Sequence, residues 1–558
     1  MKPSFNRRIL FDALILGVIG AAAAQLFGWL LHFCTKFFLG TLAQYQSPGL
    51  PNEGGTLVEH IGPHGLWLIP LVTTLGGLIS GFIIFKWAPE AEGHGTDTVV
   101  AAFHKKAGLI RTRVPIVKMI ASAITIGSGG SAGREGPIAL IASGFGSVYS
   151  RWLKRSEKEQ RMLILIGMSA GLAAVFRSPV GSAIFAVEVL YSGIEFEAGA
   201  LIYALLSSVV AYAISGAFIG WRPLFELPEQ IQVLHFSLYG LFIVLGVICG
   251  LLSAVLPTLF YDARTFFSKI PIPNYYKPAI GGLGVGLIAL VLPQVLGGGY
   301  GWLQMAINGQ LALGLLIALA FAKMIAFILT ISSGGSGGVF APTLYVGGIV
   351  GALVAYVFNQ PPAGFIIVGM AALFAGAARV PIAALLMVPE MTGGYQILVP
   401  AALAVSLSYL LQTTLTSGFK HKSLYEAQVP FREDSDAHKK EYLNLAFQLL
   451  TAHKGIIPDT VENLDLVSLF RSKMPIGIPK GKRIAVIKVE AQSNYAHQLY
   501  RKKYFTATDE DQVEMVAMIR NGKPFIPTQD THMRPADILI LLVDENLFQI
   551  LNQDAQTT

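Results

Sequence analysis

The chain reads as an all-α polytopic membrane protein of two related halves, followed by a small soluble α+β domain. Hydrophobic residues fill 53% of its 558 positions and charged residues only 13%. That is about half the charge density of an average soluble domain, too little to coat a globule of this size. The charges are also uneven: residues 431–558 hold 33 charged positions of 128, whereas residues 1–430 hold 42 of 430 and carry a formal +8. Third, two sequence blocks recur at one common spacing. Together these features disfavour a soluble multidomain enzyme, a disordered chain and a nucleic-acid binder. The basic balance fits Lys and Arg flanking membrane segments.

Residues 9–39 form the first apolar run, preceded by Lys2, Arg7 and Arg8. A secretory signal has an apolar core of only about 7–15 residues, so this run is expected to stay as a first membrane helix that starts in the cytoplasm. Further apolar runs lie at 66–85, 201–220, 238–261, 278–296, 311–331 and 397–415. Several are clean spans of roughly 20 residues, long enough to cross the hydrocarbon core. The stretches 124–150, 170–190, 332–351 and 364–387 are apolar but broken by Gly, Pro, Ser and a few charges. They are expected to be short, tilted or interrupted helices. Irregular backbone at membrane depth is tolerated only inside protein or along a water-filled path, and broken helices hold the binding sites of many transporters. Cys34 and Cys249 both sit in apolar runs, which predicts neither a disulfide framework nor a thiolate metal site.

Lys118-Met119-Ile120-Ala121 recurs as Lys323-Met324-Ile325-Ala326, and the run Ser128 to Pro137 recurs as Ser333 to Pro342, both at an offset of 205 residues. A shared offset in two separated blocks identifies a duplicated architecture, and repeat-built transporters bind substrate at the repeat interface. The second block is rich in glycine, which permits close approach to main-chain N–H groups. A helix that begins there leaves its first N–H groups unpaired and partially positive. Two such starts aimed at one point would hold an anion without a fixed cation, as suits an ion that must also leave. The alternative is that these glycines serve only close helix packing; the duplicated Gly-rich-then-Pro pattern weighs against it. Residues 127–133 lack the Lys-Ser/Thr of a P-loop and follow no βαβ unit, so a nucleotide site fits poorly. No HExxH run is present and the 11 histidines are scattered, which argues against a membrane enzyme. An organic-solute transporter of another repeat fold would need a larger midplane pocket and would leave the paired motifs unexplained.

Gly133-Arg134-Glu135-Gly136-Pro137 and Gly338-Val339-Phe340-Ala341-Pro342 resemble the GxEGP and GxFxP motifs of the CLC chloride channels and transporters. Gly93-His94-Gly95-Thr96-Asp97 is similar to that family's first motif in altered form, and Phe176-Arg177-Ser178-Pro179 to its Phe-x-x-Pro run. Residues 390–396, EMTGGYQ, are similar to its EMTxxYQ segment, and Lys422-Ser423-Leu424-Tyr425 to its KPLY segment. The resemblance implies the CLC fold, two inverted repeats of tilted, broken helices. It also implies a homodimer in the cell (inner) membrane, each subunit with its own pore. No cofactor is implied; chloride is the transported ion. Glu135 would be the gate: ionised, its carboxylate occupies the anion position; protonated, it swings away and chloride enters. His94, Gly95, Gly133, Arg134, Glu135 and Gly136 would line the anion from one half. Gly338, Val339, Phe340 and Ala341 would line it from the other, with the Tyr425 hydroxyl as a further donor. Lys118 resembles a lysine that the family carries in the same helix.

Two positions depart from the family pattern. His94 replaces a serine that donates to the central anion, and either donates in its place or leaves that task to the backbone. Family exchangers carry a proton-transferring glutamate directly after another glutamate. Here Glu188 matches the first, a candidate for the proton path, and Val189 replaces the second. The relay either runs through Glu188 and water or is weak or absent. The sequence leans to uncoupled or weakly coupled, channel-like conduction, with a chloride/proton antiporter as the alternative.

The composition changes near residues 420–440, giving a transmembrane domain at 1–430 and a cytoplasmic domain at 431–558. Residues 481–489 alternate like a strand and 537–543 read as a buried one. Met515 to Arg520, then Asn521-Gly522-Lys523-Pro524, read as a strand and a turn. From about residue 480 the tail is similar to the carboxy-terminal ligand-binding module of potassium-uptake regulators (the TrkA-C or RCK-C type). That implies a small, nucleotide-like regulatory ligand or a dimerising cap. Membrane lipid is the other expected partner, and nucleic acid is not expected.

Overall fold

The computed structural model describes residues 7–227, 236–438, 482–488, 513–520, 523–525 and 537–544. The chain divides into two compact units, Met1–Pro430 and Phe431–Thr558.

The first unit is helical. Its first half holds α1 (Arg7–Thr35), α2 (Ile69–Trp87), α3 (Thr96–Lys105), α4 (Arg113–Gly127), α5 (Glu135–Trp152), α6 (Glu157–Phe176), α7 (Pro179–Glu188) and α8 (Ala198–Ile219). Its second half holds α9 (Phe236–Lys269), α10 (Lys277–Ala289), α11 (Tyr300–Ile307), α12 (Leu313–Ser332), α13 (Phe340–Val357), α14 (Pro362–Ala378), α15 (Pro381–Thr392) and α16 (Leu398–Leu415). The halves correspond helix for helix. Both α5 and α13 run for 18 residues, and their starts repeat the offset of the Gly-rich motifs. Packing repeats too: α6 lies against α1, α5 and α8, as α14 lies against α9, α13 and α16. Among the described residues, 8 helices are long and apolar enough to cross a membrane.

Each broken stretch has a local cause. α6 ends at Arg177 (φ 56) and α14 at Arg379 (φ 55), both left-handed. Two residues later Pro179 and Pro381 open α7 and α15. Proline lacks the N–H needed to continue a helix and pushes the residue before it out of the helical region, yet it suits a first helical position. The other breaks are the glycine runs between α4 and α5 and between α12 and α13.

The run at 278–296 differs from its expected span. It forms the 13-residue α10, which ends at Ala289 and is followed by a 3-10 turn, Pro293–Val295. α10 joins the halves by packing on α2 without intervening side chains. A Cβ on Gly77 would fall 2.3 Å from the Pro278 carbonyl oxygen, and one on Gly282 would fall 2.3 Å from that of Thr73. Such small-residue contacts let helix backbones approach in membranes.

The start of α7 and the start of α15 are capped by each other's carboxylates. Glu188, at the end of α7, accepts from the N–H groups of Ile382 (3.0 Å) and Ala383 (2.6 Å). Glu390, near the end of α15, accepts from the Ser178 hydroxyl (2.5 Å) and the N–H groups of Val180 (3.2 Å) and Gly181 (2.9 Å). Each carboxylate satisfies donors that a helix start leaves open, at the end where negative charge is favoured.

Outside the helices, β1 (Tyr45–Gln46) pairs antiparallel with β2 (His60–Ile61). The second unit contains β3 (Lys482–Lys488), β4 (Val513–Arg520), β5 (Lys523–Phe525) and β6 (Ile538–Asp544) in one antiparallel sheet ordered β3-β6-β4-β5. The strands expected at 481–489, 515–520 and 537–543 fall in β3, β4 and β6. Arg520 reaches Asp537 through Nε (2.8 Å) and Nη2 (2.7 Å). The expected turn at Asn521-Gly522 lies outside the described residues, as does much of the segment that carries the ligand-module resemblance.

Replacing Glu390 by Ala strands the donors that open α7. Leaving buried donors unmade costs about 1–3 kcal/mol each. The variant is expected to melt at a lower temperature than the parent in detergent, with Glu390→Gln in between; equal melting points for all three would remove the capping role.

Candidate functional site

The two Gly-rich breaks meet. The N–H of Gly133 donates to the Gly338 carbonyl (2.8 Å), and the N–H of Gly338 donates to the Gly133 carbonyl (2.7 Å). These residues are repeat equivalents, so the local two-fold relation between the halves passes between them. α5 starts two residues beyond Gly133, at Glu135, and α13 two residues beyond Gly338, at Phe340; neither has a side-chain cap. α3 starts at Thr96 after Gly95 (φ 86), also without one. Their first-turn amides therefore receive nothing from the side chains at their own N-cap positions.

The crowding here requires glycine. A Cβ on Gly136 would fall 2.0 Å from the His94 carbonyl oxygen, one on Gly338 would fall 2.8 Å from the Gly136 nitrogen, and one on Gly133 would fall 2.8 Å from the Ala341 Cβ. Gly95 lies against Gly136 as well, its absent Cβ 2.7 Å from the Gly136 oxygen. The starts of α3, α5 and α13 thus share one small volume.

Glu135 is buried in that volume. Its Oε2 lies 2.0 Å from the place a Gly133 Cβ would take, so the carboxylate is folded over bare backbone. Oε2 has no hydrogen-bond partner among the described residues, and Oε1 accepts from the Tyr300 hydroxyl. The neighbouring cation does not pair with it: Arg134 turns to Glu53, with Nη2 2.5 Å from Oε1. Arg134 therefore belongs to this region through its backbone, at the N-cap of α5.

Val339 holds the equivalent N-cap of α13, and the Phe340 ring packs against Phe176 (4.4 Å) and Phe374 (4.3 Å). Buried His94 stands between Phe260 (6.3 Å) and Tyr425 (5.4 Å), with Nδ1 unpartnered among the described residues. The buried Tyr425 hydroxyl lies against the Thr96 side chain. Glu188 is placed elsewhere, with both carboxylate oxygens engaged at the start of α15.

The repeated lysines position the loops that lead into the site. Lys118 Nζ donates to the carbonyls of Ala91 (3.0 Å) and Gly93 (2.6 Å). Lys323 Nζ donates likewise to Val295 (2.8 Å) and Gly297 (2.7 Å). Both ammonium groups are fully buried, where carbonyl oxygens offset the cost of a charge in the membrane interior. Lys118 thereby tethers the loop that delivers His94 and Gly95, and Lys323 the loop that delivers Tyr300. Tyr300 and Glu53 were not identified from the sequence. The signal for Tyr300 lies in the repeat: residues 297–300 are the second-half counterpart of the loop before α3.

Residues 76–413 match the family profile described as voltage gated chloride channel. The voltage-gated ClC-type chloride channel ClcB of Salmonella typhimurium is 28% identical over 428 residues, covering 75% of this chain and 98% of that protein. The H(+)/Cl(-) exchange transporter ClcA of Salmonella arizonae is 30% identical over 362 residues, covering 62% and 76%. Among solved structures, a slow cyanobacterial Cl-/H+ antiporter superposes with a TM-score of 0.66 at 24% identity, covering 76% of this chain and 97% of that one. A CLC-type fluoride/proton antiporter gives 0.63 at 23%, covering 76% and 98%. The fold is therefore that of these proteins.

A methyl group at Gly136 would strike main chain rather than a yielding side chain. Gly136→Ala is expected to cost about 3 kcal/mol or more and to abolish a monodisperse peak in size-exclusion chromatography. Normal yield and an unchanged melting temperature would show that the helix starts do not need this contact.

Proposed function

The chain belongs to the voltage gated chloride channel family, and from that premise we propose that it carries chloride across the cell membrane under the control of Glu135. The observation that supports this is the Glu135 carboxylate, folded over Gly133 where the uncapped starts of α5 and α13 meet. Amides at helix starts favour an anion but carry no full charge, so they hold a halide without trapping it. An ionised Glu135 is itself an anion at that point and competes with chloride for it. Protonation removes the attraction and frees the position. His94 and Tyr425 continue the lining on the far side of α3's start, where imidazole and hydroxyl supply neutral donors. No cofactor takes part in this reading. The working unit is a homodimer with one pore per subunit, and the second unit serves as a cytoplasmic module for a small nucleotide-like ligand or as a dimerising cap.

Within this reading we favour weak or absent proton coupling. Valine at 189 has no titratable group, and the oxygens of Glu188 are occupied by backbone N–H groups. Chloride/proton exchange is the second reading, supported by a relative that is named an H(+)/Cl(-) exchange transporter; protons would then need a water-filled route past Val189.

Simultaneous chloride and proton fluxes from proteoliposomes separate the two. Chloride running down its gradient is expected to move essentially no protons, whereas uphill proton flux in fixed ratio would establish exchange. Glu135→Gln is expected to keep chloride flux and lose its dependence on pH; a variant that gates like the parent would remove Glu135 from the gate.

A further inference from the structure

We propose that Tyr300 is the latch that holds the Glu135 gate in the anion position, and that it sets the pH at which chloride flux turns on. This rests on the gating reading above and adds a positioning residue to it. Tyr300 opens α11 directly after Gly299 (φ 78), and its hydroxyl donates to Oε1 of Glu135. It is the single side-chain donor to that carboxylate among the described residues.

The surroundings suit a latch. The Tyr300 ring is braced edge-on by Phe225 (5.5 Å, 88°), and Phe225 is pinned through its N–H to the Met391 carbonyl (3.0 Å). The Arg134 guanidinium sits over the same ring at 5.8 Å, but its hydrogen bond goes to Glu53. Ion pairing to Arg134 is thus diverted, and the phenol is left to fix the carboxylate. The charged and titratable groups facing Glu135 are Arg134 on its own helix, Glu53 from the loop between β1 and β2, Tyr300 from α11 and Tyr425 beyond α3. Of these, Tyr300 alone bonds the carboxylate.

A hydrogen bond donated to a carboxylate favours its ionised form and its present place. Opening the gate must break that bond. Without the hydroxyl, the carboxylate leaves more readily and chloride competes with it at lower concentration. Because the bond joins the second half to the first, the latch lies across the repeat interface.

The test uses the full-length protein in proteoliposomes, with chloride efflux followed from pH 4.5 to 8 for the parent, Tyr300→Phe, Glu135→Gln and the double variant. Tyr300→Phe is expected to raise efflux at pH 7.5 on the order of tenfold, to move the flux profile toward higher pH, and to lower the chloride concentration for half-maximal rate. The double variant is expected to match Glu135→Gln alone, because the phenol has no gate left to hold. A Tyr300→Phe profile that overlays the parent's overturns the latch, as does an effect that adds in full to Glu135→Gln. Failure of Glu135→Gln to flatten the pH dependence is a separate result and overturns the gate itself.

Discussion

Backbone that leaves a helix at membrane depth must find partners without water, and the architecture follows from that constraint. Every break described here is answered from the other half of the repeat or by a buried side chain. Gly133 and Gly338 exchange hydrogen bonds. Glu188 and Glu390 close each other's helix starts, and Lys118 and Lys323 gather the carbonyls of the loops ahead of α3 and α11. Against that background, Oε2 of Glu135 and Nδ1 of His94 are buried and unpartnered among the described residues, beside the starts of α3, α5 and α13.

The electrostatics of this region rely on dipoles. Arg134, the cation next to Glu135 in sequence, is committed to Glu53, Lys118 is committed to the carbonyls of Ala91 and Gly93, and the Glu135 carboxylate accepts from a neutral phenol. On the proposed reading, a full positive charge aimed at the anion would deepen the well and slow release, whereas amides and hydroxyls would give a shallow one. The same logic explains the crowding by glycine: only bare backbone lets several weak donors converge within one ion's reach.

Much of this was readable in the chain. The repeated Ser-Gly-Gly-Ser blocks mark both breaks, and the motif residues Glu135 and Phe340 are the first residues of α5 and α13. Proline at 179 and 381 marks two further starts. What could not be read depends on partners distant in sequence. The capping contact of Glu188 is one such case, because the Ala383 amide that it accepts from lies 195 residues away. Tyr300 is another, because nothing local says that its hydroxyl meets a carboxylate 165 residues earlier. The apolar run at 278–296 exceeded its helix because hydropathy does not register Pro293, where the chain turns. In the tail, alternation located β3 and an unbroken apolar run located β6, while much of the segment that would name a ligand falls outside the described residues.

The exchanged carboxylate caps also bear on how the chain is made. Gly181 and Glu390 are 209 residues apart, and synthesis proceeds at about 5–20 residues per second, so roughly 10–40 s separate them at the ribosome. Throughout that interval the first half sits in the bilayer with the amides of α7 unanswered. Insertion of the nascent polypeptide therefore cannot finish one half at a time; the early helices must wait, incompletely folded, for their later counterparts.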